Sequence, residues 1–209
     1  MNSAPSGFYI SNRMGRILHQ ATHETIGLNA LRSVPDFMQL ALPSDSLPPS
    51  DTQRAFPFET VSQLHSALEN VYGPQSAHGL ALLIGRACFK YGMRQLSAPL
   101  GFDETSFRLL PHARKLQAAT RAFTHLLQAE SDVQISVEEH ADKLLCRIEH
   151  CPLCHGRKSD APSCHLVVGL LQESLGWLSG GKMFNINETH CIALGDSTCT
   201  FEVDLNPIN

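Results

Sequence analysis

An α+β domain, a helical layer packed on a small antiparallel sheet, is the fold class that the sequence predicts. Apolar residues recur at helical spacing through the first part of the chain and alternate with polar ones from Val133 onward. The two patterns are segregated along the chain, which separates this class from a βαβ fold with a parallel sheet. At 209 residues the chain is long enough to bury a core without disulfides, so a single domain spanning 1–209 is expected. Its parts are a mainly helical region, 1–130, and a hairpin, helix and hairpin, 131–209, that carries most of the cysteines.

The elements follow in order. After Ser11 and Asn12, residues suited to an N-cap, Met14, Ile17, Leu18, Ala21 and Leu28 mark an amphipathic helix over Arg13 to Leu31. The proline-rich stretch Leu42 to Pro57 is expected to be a mobile loop, because proline removes a donor and restricts its neighbours. Further helices are expected over Phe58 to Tyr72, Ser76 to Leu96 and Glu104 to Ala129, parted by Gly73-Pro74 and by Pro99-Leu100-Gly101. Val133, Ile135 and Val137, then Leu144, Cys146 and Ile148, alternate around a polar turn as a hairpin does. Leu166 to Leu178 is apolar enough for a buried helix, in which Gly169 and Gly176 could admit another backbone. Met183 to Asn187 and the alternating Cys199, Phe201 and Val203 flank a turn at Gly195-Asp196 and complete the sheet.

Charge and composition exclude several function classes. The net charge of −4, without a long run of one sign, lacks the basic footprint of a nucleic-acid binder. Apolar runs such as Leu80 to Ile84 fall far short of the roughly 20 residues that span a bilayer. Met1 to Gly7 does not read as an export signal. A cytoplasmic protein with no transmembrane segment is expected, and in a reducing compartment its seven cysteines read as metal ligands, reactive thiols or core residues.

The strongest chemical pattern is Glu188-x-x-Cys191 followed by Cys199, with Cys164 at the start of the buried helix. Three thiolates and a carboxylate can complete the tetrahedral coordination that zinc prefers. The same cysteines, as free thiols in strands, would equally serve as small core residues. Cys151-Pro152-Leu153-Cys154 brings two more thiols close enough to clamp one cation, so an alternative set is Cys151, Cys154 and Cys164. Its Cys-x-x-Cys-His string is also the attachment sequence of c-type haem, a chemistry that needs export. Gly176 to Lys182 resembles a phosphate-binding loop but runs from helix to strand, the wrong direction to aim a helix N-terminus at phosphate. No Gly-x-Gly-x-x-Gly dinucleotide fingerprint occurs. His19 and His23, four apart on the first helix, read as ordinary partly exposed residues before they read as metal ligands.

The run Cys164-His165-Leu166-Val167-Val168-Gly169-Leu170-Leu171, the Trp177-Leu178-Ser179-Gly180-Gly181-Lys182 stop, and the series from Glu188 through Gly195-Asp196 to Cys199-Thr200-Phe201 resemble the 4-vinyl reductase (hydrocarbon-binding) domain family. The resemblance covers about Cys146 to Asp204, and its wording is most similar to stand-alone members in photosynthetic bacteria. It implies an α+β ligand-binding fold like those of haem nitric-oxide sensors and vesicle-tethering subunits, with helices and sheet enclosing an apolar cavity, and a homodimer. By resemblance to the family's aromatic-sensing activators, Cys164, Glu188, Cys191 and Cys199 correspond to zinc ligands, with Cys164 set slightly further from Glu188 than in those sensors.

The expected function is a non-catalytic carrier or assembly factor. Its partner would be an apolar small molecule or a tetrapyrrole such as chlorophyll or a precursor, it would work with photosynthetic assembly partners or at the edge of a photosynthetic membrane, and its zinc would be structural. The alternatives are a component of chlorophyll-precursor 8-vinyl reduction, dependent on an outside electron donor, and a small-molecule sensor module. Phe89, Tyr91, Phe123, Leu166, Leu170 and Trp177 are the candidate pocket residues, chosen by apolar character.

Overall fold

A computed structural model describes residues 7–33, 37 and 47–208. Strand β1 (Tyr9–Ser11) pairs antiparallel with β2 (Arg54–Pro57) in a two-stranded ribbon. β2 occupies the end of the stretch whose prolines predict a loop. A strand with a single neighbour tolerates proline at its last position, because no second strand requires the missing N–H. Residues 47–53 have no regular structure, and 42–46 lie outside the described residues.

Helix α1 (Asn12–Ile26) begins where expected: the Ser11 hydroxyl accepts the Met14 N–H at 3.3 Å. Instead of running to Leu31, it stops at Gly27, whose φ of +84° turns the chain into the short α2 (Leu28–Ser33). Helices α3 (Phe58–Tyr72) and α4 (Pro74–Leu96) meet at Gly73-Pro74. There a positive-φ glycine ends one helix, and a proline, whose lost N–H is no loss in a first turn, begins the next. The helix expected over 104–129 is divided into α5 (Thr105–Arg108) and α6 (His112–Glu130), because Pro111 cannot continue the preceding turn and instead caps the next.

The main sheet contains β3 (Ile135–Glu139), β4 (Lys143–Ile148), β5 (Ile186–His190) and β6 (Cys199–Asp204), in the antiparallel order β3-β4-β6-β5. Leu144 faces Val203, Cys146 faces Phe201 and Ile148 faces Cys199. All six side chains are buried, so the period-2 alternation read in the sequence is the inner face of this sheet. A 3-10 turn, Ile192–Leu194, separates β5 from β6.

Helix α7 (His165–Ser179) joins the two hairpins and packs on α4 in the most extensive helix pair of the described residues. Two glycines allow it. A Cβ on Gly169 would lie 2.1 Å from the Leu82 carbonyl oxygen, and one on Gly85 would lie 2.0 Å from that of Leu166. Gly176 has no such role, since the nearest atom to its Cβ position is 3.7 Å away. The helix is buried on one face only: Trp177 is 43% exposed. Gly180, left-handed at φ +76°, then ends it, with its N–H bonded to the Gly176 carbonyl. No helix among the described residues is long and apolar enough to cross a membrane.

Candidate functional site

Five of the seven cysteines meet at the N-terminal end of α7. Cys151 and Cys154 come from a loop of tight turns, in which the Cys154 N–H bonds to the Cys151 carbonyl and the Arg157 N–H to that of Cys154. Cys164 is the N-cap of α7, Cys191 precedes the 3-10 turn and Cys199 opens β6. Cys154 Sγ lies 3.3 Å from Cys164, 3.4 Å from Cys199 and 3.5 Å from Cys191. Cys164 lies 3.6 Å from Cys151 and 3.7 Å from Cys199. All five are buried. The remaining two, Cys88 and Cys146, are core residues whose thiols burial pushes up to about 12.

Glu188 closes the cluster from β5. One carboxylate oxygen accepts the Cys164 N–H at 2.8 Å, and the other is buried without a hydrogen-bond partner. Burial pushes this carboxyl up to about 8, against the pull of the Cys164 N–H. Cys154 receives hydrogen bonds from the four thiols around it, and these hold it well below the usual thiol range, while Cys164 and Cys199 are driven up. The arrangement therefore concentrates negative charge on a buried sulfur, and a cation is the natural complement.

The donor set fits a tetrahedral soft-metal ion. At a zinc–sulfur distance of about 2.3 Å, the edge of a sulfur tetrahedron is about 3.8 Å, close to the separations between these thiols. Thiolates of a four-iron cluster each bind a different iron and stand further apart than those sharing one ion. Two groups of four donors, Cys164, Glu188, Cys191 and Cys199, and Cys151, Cys154, Cys164 and Cys199, each lie within 4.8 Å of one another. The two sets expected from the sequence thus form one cluster, because Cys164 and Cys199 belong to both.

Backbone donors hold the site in shape. The Ile192 N–H points at Cys199 Sγ, the Cys191 N–H donates to Asp196, and the Ser159 N–H ties the cysteine loop to Ala193. Arg157 spans the loop and α3, donating to the Leu153 carbonyl at 3.1 Å and to Glu69 at 2.9 Å. Beside it on α3, burial pushes His65 down to about 4, and the Arg157 charge adds to the effect. Of the other histidines weighed as ligands, His19 is buried and His23 exposed on α1, and neither belongs to a metal-binding group among the described residues.

A different region gathers the aromatic residues. Phe89 on α4, Phe123 on α6 and Trp177 on α7, all expected to line a pocket, share one cluster: Phe89 lies 6.1 Å from Phe123 and 6.0 Å from Trp177. Phe102 and Phe107, which sequence reasoning missed, complete it, with the Phe107 and Trp177 rings 13° from parallel. Tyr91 is elsewhere, hydrogen-bonded to Glu24 of α1 and covered by Arg94. Leu166 and Leu170 lie on the Trp177 stripe of α7 but press against α4 at Gly85. Beside Trp177 a hollow of about 520 Å³ opens to solvent.

Residues 144–205 match the 4-vinyl reductase domain. This is the family that the Glu188 to Cys199 series resembles, and the matched stretch takes in all five clustered cysteines, Glu188, and the strands β4, β5 and β6. No curated protein matches the chain by sequence. Solved structures are similar over almost its full length. One, an H-NOX protein from S. oneidensis in the Fe(II)NO state, is 12% identical with a TM-score of 0.57, covering 93% of this chain and 99% of that one. An oxygen-binding H-NOX domain related to soluble guanylate cyclases is 10% identical at 0.60, covering 96% and 97%. The phenol-responsive sensory domain of the transcription activator PoxR, with phenol, is 19% identical at 0.53, covering 73% and 77%. The fold is therefore the α+β ligand-binding fold of H-NOX domains.

Proposed function

We propose that this protein is a non-catalytic binding protein for an apolar or tetrapyrrole ligand, a chlorophyll or its precursor among them, with a zinc ion as its structural centre. It acts as a carrier or pigment-assembly factor. The observation that carries this reading is the closure of the thiol cluster: every sulfur donor is buried, and backbone N–H groups and Glu188 surround it. A four-coordinate site sealed in this way leaves no open position for substrate, which is the arrangement of structural and not catalytic zinc. Cys164, Cys191 and Cys199, joined by Cys154 or Glu188, would hold the ion and fasten α7, the cysteine loop and the last hairpin together.

The ligand then belongs to the other region, against the aromatic cluster of Phe89, Phe102, Phe123 and Trp177. Support comes from the fold, which in similar solved structures accommodates ligands as different as those of the H-NOX domains and the phenol of PoxR. Native mass spectrometry of the protein from a pigment-producing host tests the reading, by recording metal, small molecule and subunit number together. One zinc with one tetrapyrrole per chain, in a homodimer, is the expected result. Zinc without any small molecule, after exposure to pigments, would remove the carrier function and leave a protein-interaction role.

A further inference from the structure

The hollow beside Trp177 has a feature that an apolar ligand does not need. Its floor is aromatic, made by Phe102, Phe107 and Trp177, but its rim carries Arg94, Arg108 and Lys115. A single acid, Asp103, stands among them, 3.8 Å from Arg108 and already accepting the Ser97 hydroxyl at 2.8 Å. Lys115 lies 5.9 Å from the centre of the Phe107 ring and donates to the Arg108 carbonyl at 3.2 Å, so its charge is held over the aromatic floor. Three cations against one carboxylate leave the rim positive in a protein whose net charge is −4. Trp177, 43% exposed, presents a flat apolar face that a globular protein ordinarily covers.

We infer that this hollow binds a flat, extended aromatic molecule carrying carboxylates, its rings lying on Trp177 and Phe107 and its acid groups paired with Arg94, Arg108 and Lys115. The inference rests on the ligand-binding reading above and adds the chemical class of the ligand and the residues that select it. Aromatic stacking supplies area with little ordering cost, and guanidinium–carboxylate pairing supplies orientation. Among planar pigments, the free acids are selected over their esters.

Trp177 is the single tryptophan of the chain, so its fluorescence reports occupancy of this hollow directly. The probes are protoporphyrin IX and its dimethyl ester, with quenching corrected against free tryptophan. The acid is expected to quench Trp177 and to bind at least about tenfold more tightly than the ester, the scale of one charge-assisted pair. The triple variant Arg94→Gln, Arg108→Gln, Lys115→Gln, with its metal content and circular dichroism checked, should lose that preference and leave ester binding unchanged. Arg108→Gln alone, at an exposed position that folding does not need, should weaken the acid a few-fold. Equal binding of acid and ester overturns the carboxylate assignment but leaves the ligand-binding reading intact. Binding of the acid without quenching of Trp177, or with indifference to the triple variant, overturns this location alone. Binding of neither probe overturns the inference and the tetrapyrrole reading together.

Discussion

Helix α7 carries two unlike regions at its two ends. Cys164 caps its N-terminus inside a sealed cluster of thiols, whereas Trp177, 13 residues on, stands half-exposed beside an open hollow. At ~1.5 Å per helical residue the two are about 20 Å apart. The first region is closed, polarised and locked by backbone donors; the second is aromatic, open and ringed by cationic side chains. A domain that must hold its shape while exchanging a ligand gains from this separation, because stability and recognition then draw on different residues. Substitutions should reveal the asymmetry, with stability lost at the thiol end and affinity lost at the aromatic end.

The largest effect is expected at the shared thiols. Cys191→Ala removes a donor from a buried site, so zinc and stability should be lost together, at a cost of about 4 kcal/mol or more. Metal analysis by mass spectrometry beside urea denaturation measures both. Cys88→Ala is the control: a core thiol outside the cluster, it should cost about 1 kcal/mol and leave zinc untouched. If Cys191→Ala kept its zinc and its stability, the division between the two ends of α7 would collapse.

Acid should weaken the same end next. His65 is buried on α3 beside the Arg157 that anchors the cysteine loop, and its folded value is about 4 against 6.5 in the unfolded chain. The folded state therefore binds the proton less well. The stability associated with neutral His65 is complete above about pH 6.5 and is lost as pH falls toward 4, by an amount of about 3 kcal/mol. Denaturation midpoints at pH 7 and pH 4.5 should differ less in His65→Gln than in the unchanged protein. Identical pH slopes would remove His65 as the source.

The helix pair that bears both regions comes third. Gly169→Ala would set a methyl group 2.1 Å from the Leu82 carbonyl, so α4 and α7 must move apart, with a loss of roughly 1–3 kcal/mol. Thermal melting measures the loss, and a shift of Trp177 emission would show that the displacement reaches the far end of the helix. An unchanged melting point would mean that the helices separate without cost.

The thiol end was more legible in the sequence than the aromatic end, and the reason is physical. Cys164, Glu188, Cys191 and Cys199 fall at spacings that metal coordination restricts, so their pattern points to a function even where their contacts are distant in sequence. Spacing did not reveal that Cys151 and Cys154 enter the same cluster, because a loop of tight turns can aim them in many directions. Aromatic residues obey no such restriction. Phe102 and Phe107 lie between Pro99 and Pro111, outside any long helical repeat, and only the folded chain brings them to Trp177. Tyr91 could have been set aside from the sequence: two residues from Phe89 on one helix, it must face elsewhere, and it faces Glu24. The helices were legible in number of turns but not in their breaks, since Gly27 and Pro111 interrupt patterns whose apolar period continues across them.

The smallest expected change sharpens the comparison most. Arg108 is 68% exposed, and its nearest acid, Asp103, is 3.8 Å away in solvent. An exposed pair of this kind contributes about 0–1 kcal/mol, so Arg108→Gln should leave the melting point and the zinc content within error of the unchanged protein. The charge at this position is then free to serve recognition alone, which is the opposite of the condition at Cys191, where a donor cannot be altered without loosening the fold. A marked loss of stability in Arg108→Gln would show that the cationic rim helps to hold α5 against α7, and that the two ends of the helix are less independent than their burial indicates.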